Sequence, residues 1–180
     1  MQPNWFIAWP LAPGDWFQAL VATAPPALRR FHPDDLHVTL AFLGPVDEAL
    51  ARAAWAVVLT LPPEATTGTL GRVAAFGNPR KPSAFSVEIA SPVLREAIGG
   101  LRDLVCEAAG VAPDDRPPRA HATVVRPRRE ATEAERAAGI AWARSVAPLE
   151  RQARFDRVAL YTWSADRGER LFAKVEELAL

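Results

Sequence analysis

Three features of this sequence predict an α+β fold. Strand-like and helix-like segments are interspersed along all 180 residues. Many of their links are of hairpin length, which favours antiparallel pairing over parallel crossovers. Apolar residues make up 49% of the chain, enough to bury a core of its own as one domain or as two small lobes.

The elements read in order as follows. "WFIAWPL" (Trp5 to Leu11) is an aromatic, branched strand closed by Pro10 and Pro13. Asp15 is expected to cap a helix running to about Thr23, before Pro25 and Pro26. "LHVTLAFL" (Leu36 to Leu43) is the clearest strand and ends at Gly44-Pro45. Asp47 then opens an alanine-rich helix to about Leu61. "TLGRVAAF" and "AFSVEIA" read as two strands around a turn at Gly77-Asn78-Pro79. Ser91-Pro92 is a good helix start and Gly110 a good stop, with Leu94, Ile98, Leu101 and Val105 at helical spacing between them. A second histidine strand covers about Ala120 to Val125, and Thr132 with Glu135 forms a capping box for a helix to about Val146. "RFDRVALYTW" and "RLFAKVEELAL" make a closing hairpin turning near Asp166-Arg167-Gly168. No linker separates two domains.

Charge and cysteine content narrow the function classes. The formal net charge is zero, so no global polyelectrolyte field favours a long nucleic acid, and any such contact is local. A single cysteine, Cys106, rules out an internal disulfide and a cysteine-rich metal site. It is read as an inert buried thiol, in keeping with a reducing compartment. The opening "MQPNWFIAWPLAPGDW" lacks a basic n-region, prolines interrupt its apolar run, and no stretch reaches the ~20 apolar residues of a bilayer span. A soluble cytoplasmic protein without membrane contact is expected.

Two of the three histidines stand in matching tripeptides, His37-Val38-Thr39 and His121-Ala122-Thr123. Strand alternation puts His37 and Thr39 on one face and Leu36, Val38, Leu40 and Phe42 on the other. The second copy likewise sets His121 and Thr123 against Ala120, Ala122 and Val124. Side by side, two such strands would offer two imidazoles and two hydroxyls to one cleft. Imidazole titrates near about pH 6.5, so one ring can serve as base and the other as acid. The hydroxyls can donate to phosphoryl oxygens, and an arginine fork can bind them.

A single H-x-T in a strand is ordinarily a half-exposed, satisfied histidine; the weight here lies in the repetition. A metal site would need a third ligand, and neither tripeptide has a neighbouring carboxylate or thiolate. His32, beside Arg29 and Arg30, is read as a loop residue rather than that ligand. Arg116, Arg119, Arg126, Arg128 and Arg129 form a locally basic stretch flanked by Asp114, Asp115 and Glu130. It is either a solvated loop or an RNA-end-binding rim. Phe76, Tyr161 and Trp163 are candidate base-stacking rings, although strand aromatics more often belong to the core.

"HVTLAFLG" and "HATVVR" resemble the paired H-x-T signatures of the two-histidine phosphoesterases. The nearest branch is the RNA 2′,3′-cyclic phosphodiesterases, or 2′-5′ RNA ligase-like proteins. "FIAWPLAPG", "PDDLHVTLAFLG" and "PDDRPPRAHATVVR" are similar to that branch in order and spacing, although only the two motifs are specific. The resemblance implies a single two-lobed domain over residues 1–180. Its two α+β lobes of antiparallel sheet, with helices outside, would be related by a pseudo-twofold axis around a central cleft. It implies catalytic His37 and His121, phosphate-binding Thr39, Thr123 and Arg126, no metal and no cofactor. The implied reaction is hydrolysis of 2′,3′-cyclic phosphate on RNA ends or nucleotides to a 2′-phosphomonoester, accompanied in that family by reversible 2′-5′ RNA ligation. By that analogy His121 is the base and His37 the acid, in a monomer. The rival readings are an enzyme for small cyclic nucleotide or ADP-ribose phosphates, and a non-catalytic nucleotide-binding module. Strand parity places Arg126 opposite His121, so a bend before Pro127 is expected to turn it inward. "ATVV" departs from the leucine-rich second motif usual in the family, at positions expected to affect packing.

Overall fold

Alternation of apolar residues decides which face of each strand is buried. In the computed structural model, which describes residues 2–180, β1 (Trp5–Pro10) turns Trp5, Ile7 and Trp9 into the main core. Phe6 and Ala8 point to the opposite face. β1 is followed by α1 (Gly14–Ala22), β2 (Leu28–Arg30), a 3₁₀ turn at Pro33–Asp35, β3 (His37–Gly44) and α2 (Glu48–Thr60). Next come β4 (Thr66–Asn78), β5 (Lys81–Ala90), α3 (Pro92–Ala108), β6 (His121–Pro127) and α4 (Glu133–Ser145). β7 (Arg151–Phe155), β8 (Arg157–Trp163) and β9 (Phe172–Ala179) complete the described residues.

The strands form two antiparallel sheets, ordered β3-β1-β8-β9 and β2-β6-β5-β4-β7. The predicted α+β class is observed. Each half of the chain runs strand, helix, histidine strand, helix: β1-α1-β3-α2 and then β5-α3-β6-α4. In both, the histidine strand pairs antiparallel with the strand that precedes its helix. The halves also exchange elements, since β2 joins the second sheet beside β6 and the terminal β8–β9 hairpin joins the first. α3 packs against β3, α2 against α3, and α4 against β4 and β5, so one contiguous core serves both sheets.

Several local expectations need correction. Asp15 does not cap α1; Pro13 occupies the cap position, and Asp15 lies in the first turn where its charge favours the helix dipole. The β4–β5 turn is Pro79-Arg80, with the Asn78 side chain accepting from the Arg80 N–H at 2.8 Å. "RFDRVALYTW" is divided at Asp156, its first part pairing with β4 and its second with β1 and β9. The three-residue β2 and the 3₁₀ turn are too short to show periodicity. Asp47 stands at the cap position of α2 without a side-chain hydrogen bond to it, whereas two other caps hold: Ser91 accepts from Leu94, and Thr132 and Glu135 form the full capping box. Gly110, just past α3, has φ +67°, where a side chain would be strained. Among the described residues no helix is long and apolar enough to cross a membrane.

Gly139 shows how closely α4 approaches the second sheet. A Cβ there would lie 2.6 Å from Cζ of Phe85, a fully buried ring. Gly139→Ala should therefore destabilise the fold by ~1–3 kcal/mol, despite the ~1 kcal/mol gained in helix propensity. The check is a lower urea midpoint at unchanged m; an unchanged or raised midpoint would refute this packing.

Candidate active site

β3 and β6 approach one another where the two sheets meet. In β3, Val38 and Leu40 are buried while His37 and Thr39 are half-exposed. Phe42, expected on the core face, is exposed because the register with β1 shifts between Thr39 and Ala41 and reverses the alternation. In β6, Ala122 and Val124 are buried while His121 and Thr123 are half-exposed. The departures of "ATVV" from the usual motif thus fall on the core face, as expected.

Both imidazoles are tethered in the same way. His37 Nδ1 lies 2.6 Å from the Asp35 carbonyl, and His121 Nδ1 lies 2.8 Å from the Arg119 carbonyl, each two residues upstream. A carbonyl only accepts, so Nδ1 carries the proton and Nε2 keeps its lone pair. Each ring therefore keeps a basic Nε2 that can exchange a proton.

Aromatic rings surround His37. Phe6 is 4.7 Å away, Phe172 meets it edge-on at 5.4 Å, and Tyr161 lies at 5.7 Å. Burial pushes the His37 pKa down to about 4, partly opposed by the Asp35 carbonyl; the charges of His121 and Arg126 lower it further. The two rings and Arg126 thus lie within electrostatic reach of one another. Burial also lowers His121, and Arg119 and Arg116 add to the effect. Phe76 stacks on His121 at 4.1 Å, and the Arg119 guanidinium covers the other aromatic surface at 4.3 Å.

Arg126 corrects the parity expectation. Ser86 pairs with Thr123 and Phe85 with Val125, so two residues on β6 match one step on β5. Val124 is the extra residue of a β-bulge, and it reverses the alternation. Val124 and Val125 are both buried, and Arg126 returns to the face of His121 and Thr123. The turn inward comes from this bulge, within the motif, rather than from a bend before Pro127.

Several contributors were not read as site residues from the sequence. Ser86, fully buried, places its hydroxyl 3.1 Å from that of Thr123. Asp35 is buried, and its carboxylate accepts from the N–H groups of Leu171 and Phe172 at 2.8 and 3.0 Å. It thereby fixes the start of β9, and with it Phe172, while its carbonyl orients His37. Phe6 comes from β1, where the strand signal gave no hint of a site. Tyr161 is a core ring stacked on Phe6, and burial pushes its phenol up. Trp163 is half-exposed beneath Arg167 at 4.1 Å.

The basic stretch does not act as one patch. Arg116 pairs with Asp114 and Arg119 with Glu88, while Arg128 and Arg129 are exposed. His32 caps the 3₁₀ turn by accepting from the Asp34 N–H, and Cys106 is buried. Among the described residues no cluster of three or more His, Cys, Asp or Glu is arranged to hold a metal ion.

Known structures match this architecture from end to end. The crystal structure of E. coli LigT complexed with 3′-AMP aligns with a TM-score of 0.76 over 99% of both chains, at 23% identity. TT0787 of Thermus thermophilus gives 0.73 at 21% identity, over 98% of this chain and 97% of that one. The chain has the LigT fold. Usb1 of Kluyveromyces marxianus shares it more distantly, with a TM-score of 0.59 at 14% identity over 98% of each chain. No protein-family model and no curated protein sequence matches the chain. The resemblance drawn from the motifs therefore extends to the whole fold.

The tethers and the burial make a direct spectroscopic prediction. Long-range ¹H–¹⁵N spectra should show His37 and His121 as Nδ1–H tautomers at neutral pH. His37 should titrate at about pH 4 and His121 below its ordinary 6.5. An Nε2–H tautomer at either ring would contradict the geometry.

Proposed function

We propose that this protein is a two-histidine phosphoesterase that opens 2′,3′-cyclic phosphates on RNA ends without a metal. The observation that carries the reading is the pair of imidazoles, each tied by Nδ1 and each leaving Nε2 free. The LigT-like fold supports it, as do the LigT complexes with 3′-AMP, ATP and NADP⁺, which are nucleotide ligands of that protein.

In this reaction one Nε2 takes a proton from water as its oxygen bonds to phosphorus. The bond from phosphorus to O3′ breaks, and the other imidazole delivers a proton to that oxygen. The product is a 2′-phosphomonoester with a free 3′ hydroxyl. With a nucleoside 5′ hydroxyl in place of water, the same forward steps form a 2′-5′ linkage, and their reverse, attack of the 3′ hydroxyl on that linkage, cleaves it to the cyclic phosphate and a 5′ hydroxyl. Thr39, Thr123 and Arg126 donate to the equatorial oxygens, where charge builds in the transition state. Ser86 can donate to Thr123 Oγ1, which frees the threonine proton for the phosphoryl group.

Following the family analogy, His121 is the base and His37 the acid. The ligand-free electrostatics pull against this order, because burial holds His37 neutral down to about pH 4. The phosphodiester anion supplies the opposing charge, so His37 takes up its proton together with substrate. A smaller substrate, a free cyclic mononucleotide, is the alternative favoured by the mononucleotide complex of LigT.

Two kinetic results test the mechanism, with hydrolysis of a cyclic-phosphate oligonucleotide assayed in EDTA. Because both histidines are depressed, kcat/KM should follow a bell with both limbs below pH 6.5. Activity falls toward pH 4 as the second ring gains its proton and no base remains. It falls on the alkaline side once both rings are neutral and no acid remains. These limbs belong to the coupled pair, whichever ring has which role. A bell centred above pH 7, or loss in EDTA restored by zinc or manganese, would overturn the proposal.

The variants assign the roles. His37→Ala and His121→Ala should each cost roughly 10²–10⁴-fold. The double variant should lose far less than the product, since the two act as a unit. A substrate with a better leaving group should rescue His37→Ala and leave His121→Ala impaired. Rescue of His121→Ala instead reverses the order, and full activity in either single variant refutes the mechanism.

A further inference from the structure

The cations gathered around Arg126 exceed what one phosphate requires. β2 sets Arg29 directly opposite Arg126, and cross-strand partners share a sheet face. Arg29 donates from Nη2 to the Arg167 carbonyl at 2.9 Å, which ties the β8–β9 turn to β2. Arg167 in turn sits over Trp163, its guanidinium carbon 4.1 Å from the ring centre. Arg126 stands 4.9 Å over Phe31, and its Nε is buried with no hydrogen-bond partner.

None of these three guanidiniums has a salt-bridge partner among the described residues, whereas Arg116 and Arg119 each have a carboxylate. The nearby anion, Asp35, is already committed to the Leu171 and Phe172 amides. Burial lowers the pKa of Arg126, and Arg29 and Arg167 lower it further, so the cluster is electrostatically loaded. In a chain of zero net charge, this is local field built for an anion. Arg126 can serve the reacting phosphate, which leaves the forks of Arg29 and Arg167 unassigned.

We propose that Arg29 and Arg167, the latter seated on Trp163, form a second phosphate subsite for the 5′ phosphodiester of the terminal nucleotide. The inference rests on the catalytic reading above for its orientation. A strand ending in 2′,3′-cyclic phosphate continues only on its 5′ side, so this phosphodiester is its nearest further anion. The substrate class is then an oligonucleotide end rather than a free cyclic mononucleotide. Each fork can grip a phosphate with two charge-assisted hydrogen bonds.

The test compares a dinucleotide ending in 2′,3′-cyclic phosphate with the matching cyclic mononucleotide. Wild type should prefer the dinucleotide by about tenfold or more in kcat/KM, a preference that shrinks as salt screens it. Arg29→Gln and Arg167→Gln should each reduce the preference, and the double variant should bring it close to one. No preference in wild type, or variants that lower both substrates in step, would overturn the subsite.

An equilibrium measurement separates this failure from failure of the catalytic reading. Calorimetry should give adenosine 2′,5′-bisphosphate about tenfold tighter binding than 2′-AMP, a ratio lost in the double variant. If wild type turns over neither cyclic substrate, the catalytic reading fails while this ratio still decides the subsite. A ratio near one in wild type refutes it. A preference for the bisphosphate with none for the dinucleotide would assign the anion to a small nucleotide and overturn the oligonucleotide assignment.

Discussion

Each histidine strand has to satisfy two environments at once, and the rest of the molecule is arranged around that constraint. Val38 and Leu40 in β3, and Ala122 and Val124 in β6, are fully or almost fully buried in one shared core. The intervening His37, Thr39, His121 and Thr123 consequently face away from it. A one-residue slip in either strand would exchange the faces, burying an imidazole and exposing valines. The register that holds the core together therefore also aims the two imidazoles and the two hydroxyls.

Within that register, the rings are held by backbone rather than by other side chains. A carbonyl two residues upstream fixes Nδ1 in both motifs, so the tautomer follows from strand geometry alone. What differs is the packing around each ring. Phe6, Phe172 and Tyr161 pack around the half-exposed His37, whereas Phe76 stacks on His121. Two imidazoles with the same local chemistry thus acquire different proton affinities from their neighbours. Asp35 links the two levels, because its carbonyl orients His37 and its carboxylate anchors the amides that place Phe172.

The charge distribution follows a similar logic. Positive and negative side chains cancel over the whole chain, yet Arg29, Arg126 and Arg167 gather beside the site without a carboxylate in salt-bridge range among the described residues. Like charges brought together raise the energy of the free protein, and a bound anion would lower it again. The β-bulge at Val124 makes this convergence possible. Without it, Arg126 would lie on the core face, where an unpaired guanidinium is costly.

Local patterning along the chain was enough to read the α+β class, the main strands and helices, and the face on which each H-x-T pair sets its histidine and threonine. These are local properties: alternation, capping and turn chemistry act over a few neighbouring residues. Ser91, Thr132 and Glu135 could be read because a cap is satisfied within one helical turn. Only the tertiary structure decided how the sheets exchange strands, where the chain divides at Asp156, and how Arg126 regains the cleft. Asp35, Ser86, Phe6 and Phe172 join the site through contacts between elements far apart in the chain. Arg29 and Arg167 were equally invisible, because β2 is too short for periodicity and the β8–β9 turn reads as ordinary polar loop. Their roles come from cross-strand pairing and packing, and no local pattern encodes which distant strand becomes a neighbour.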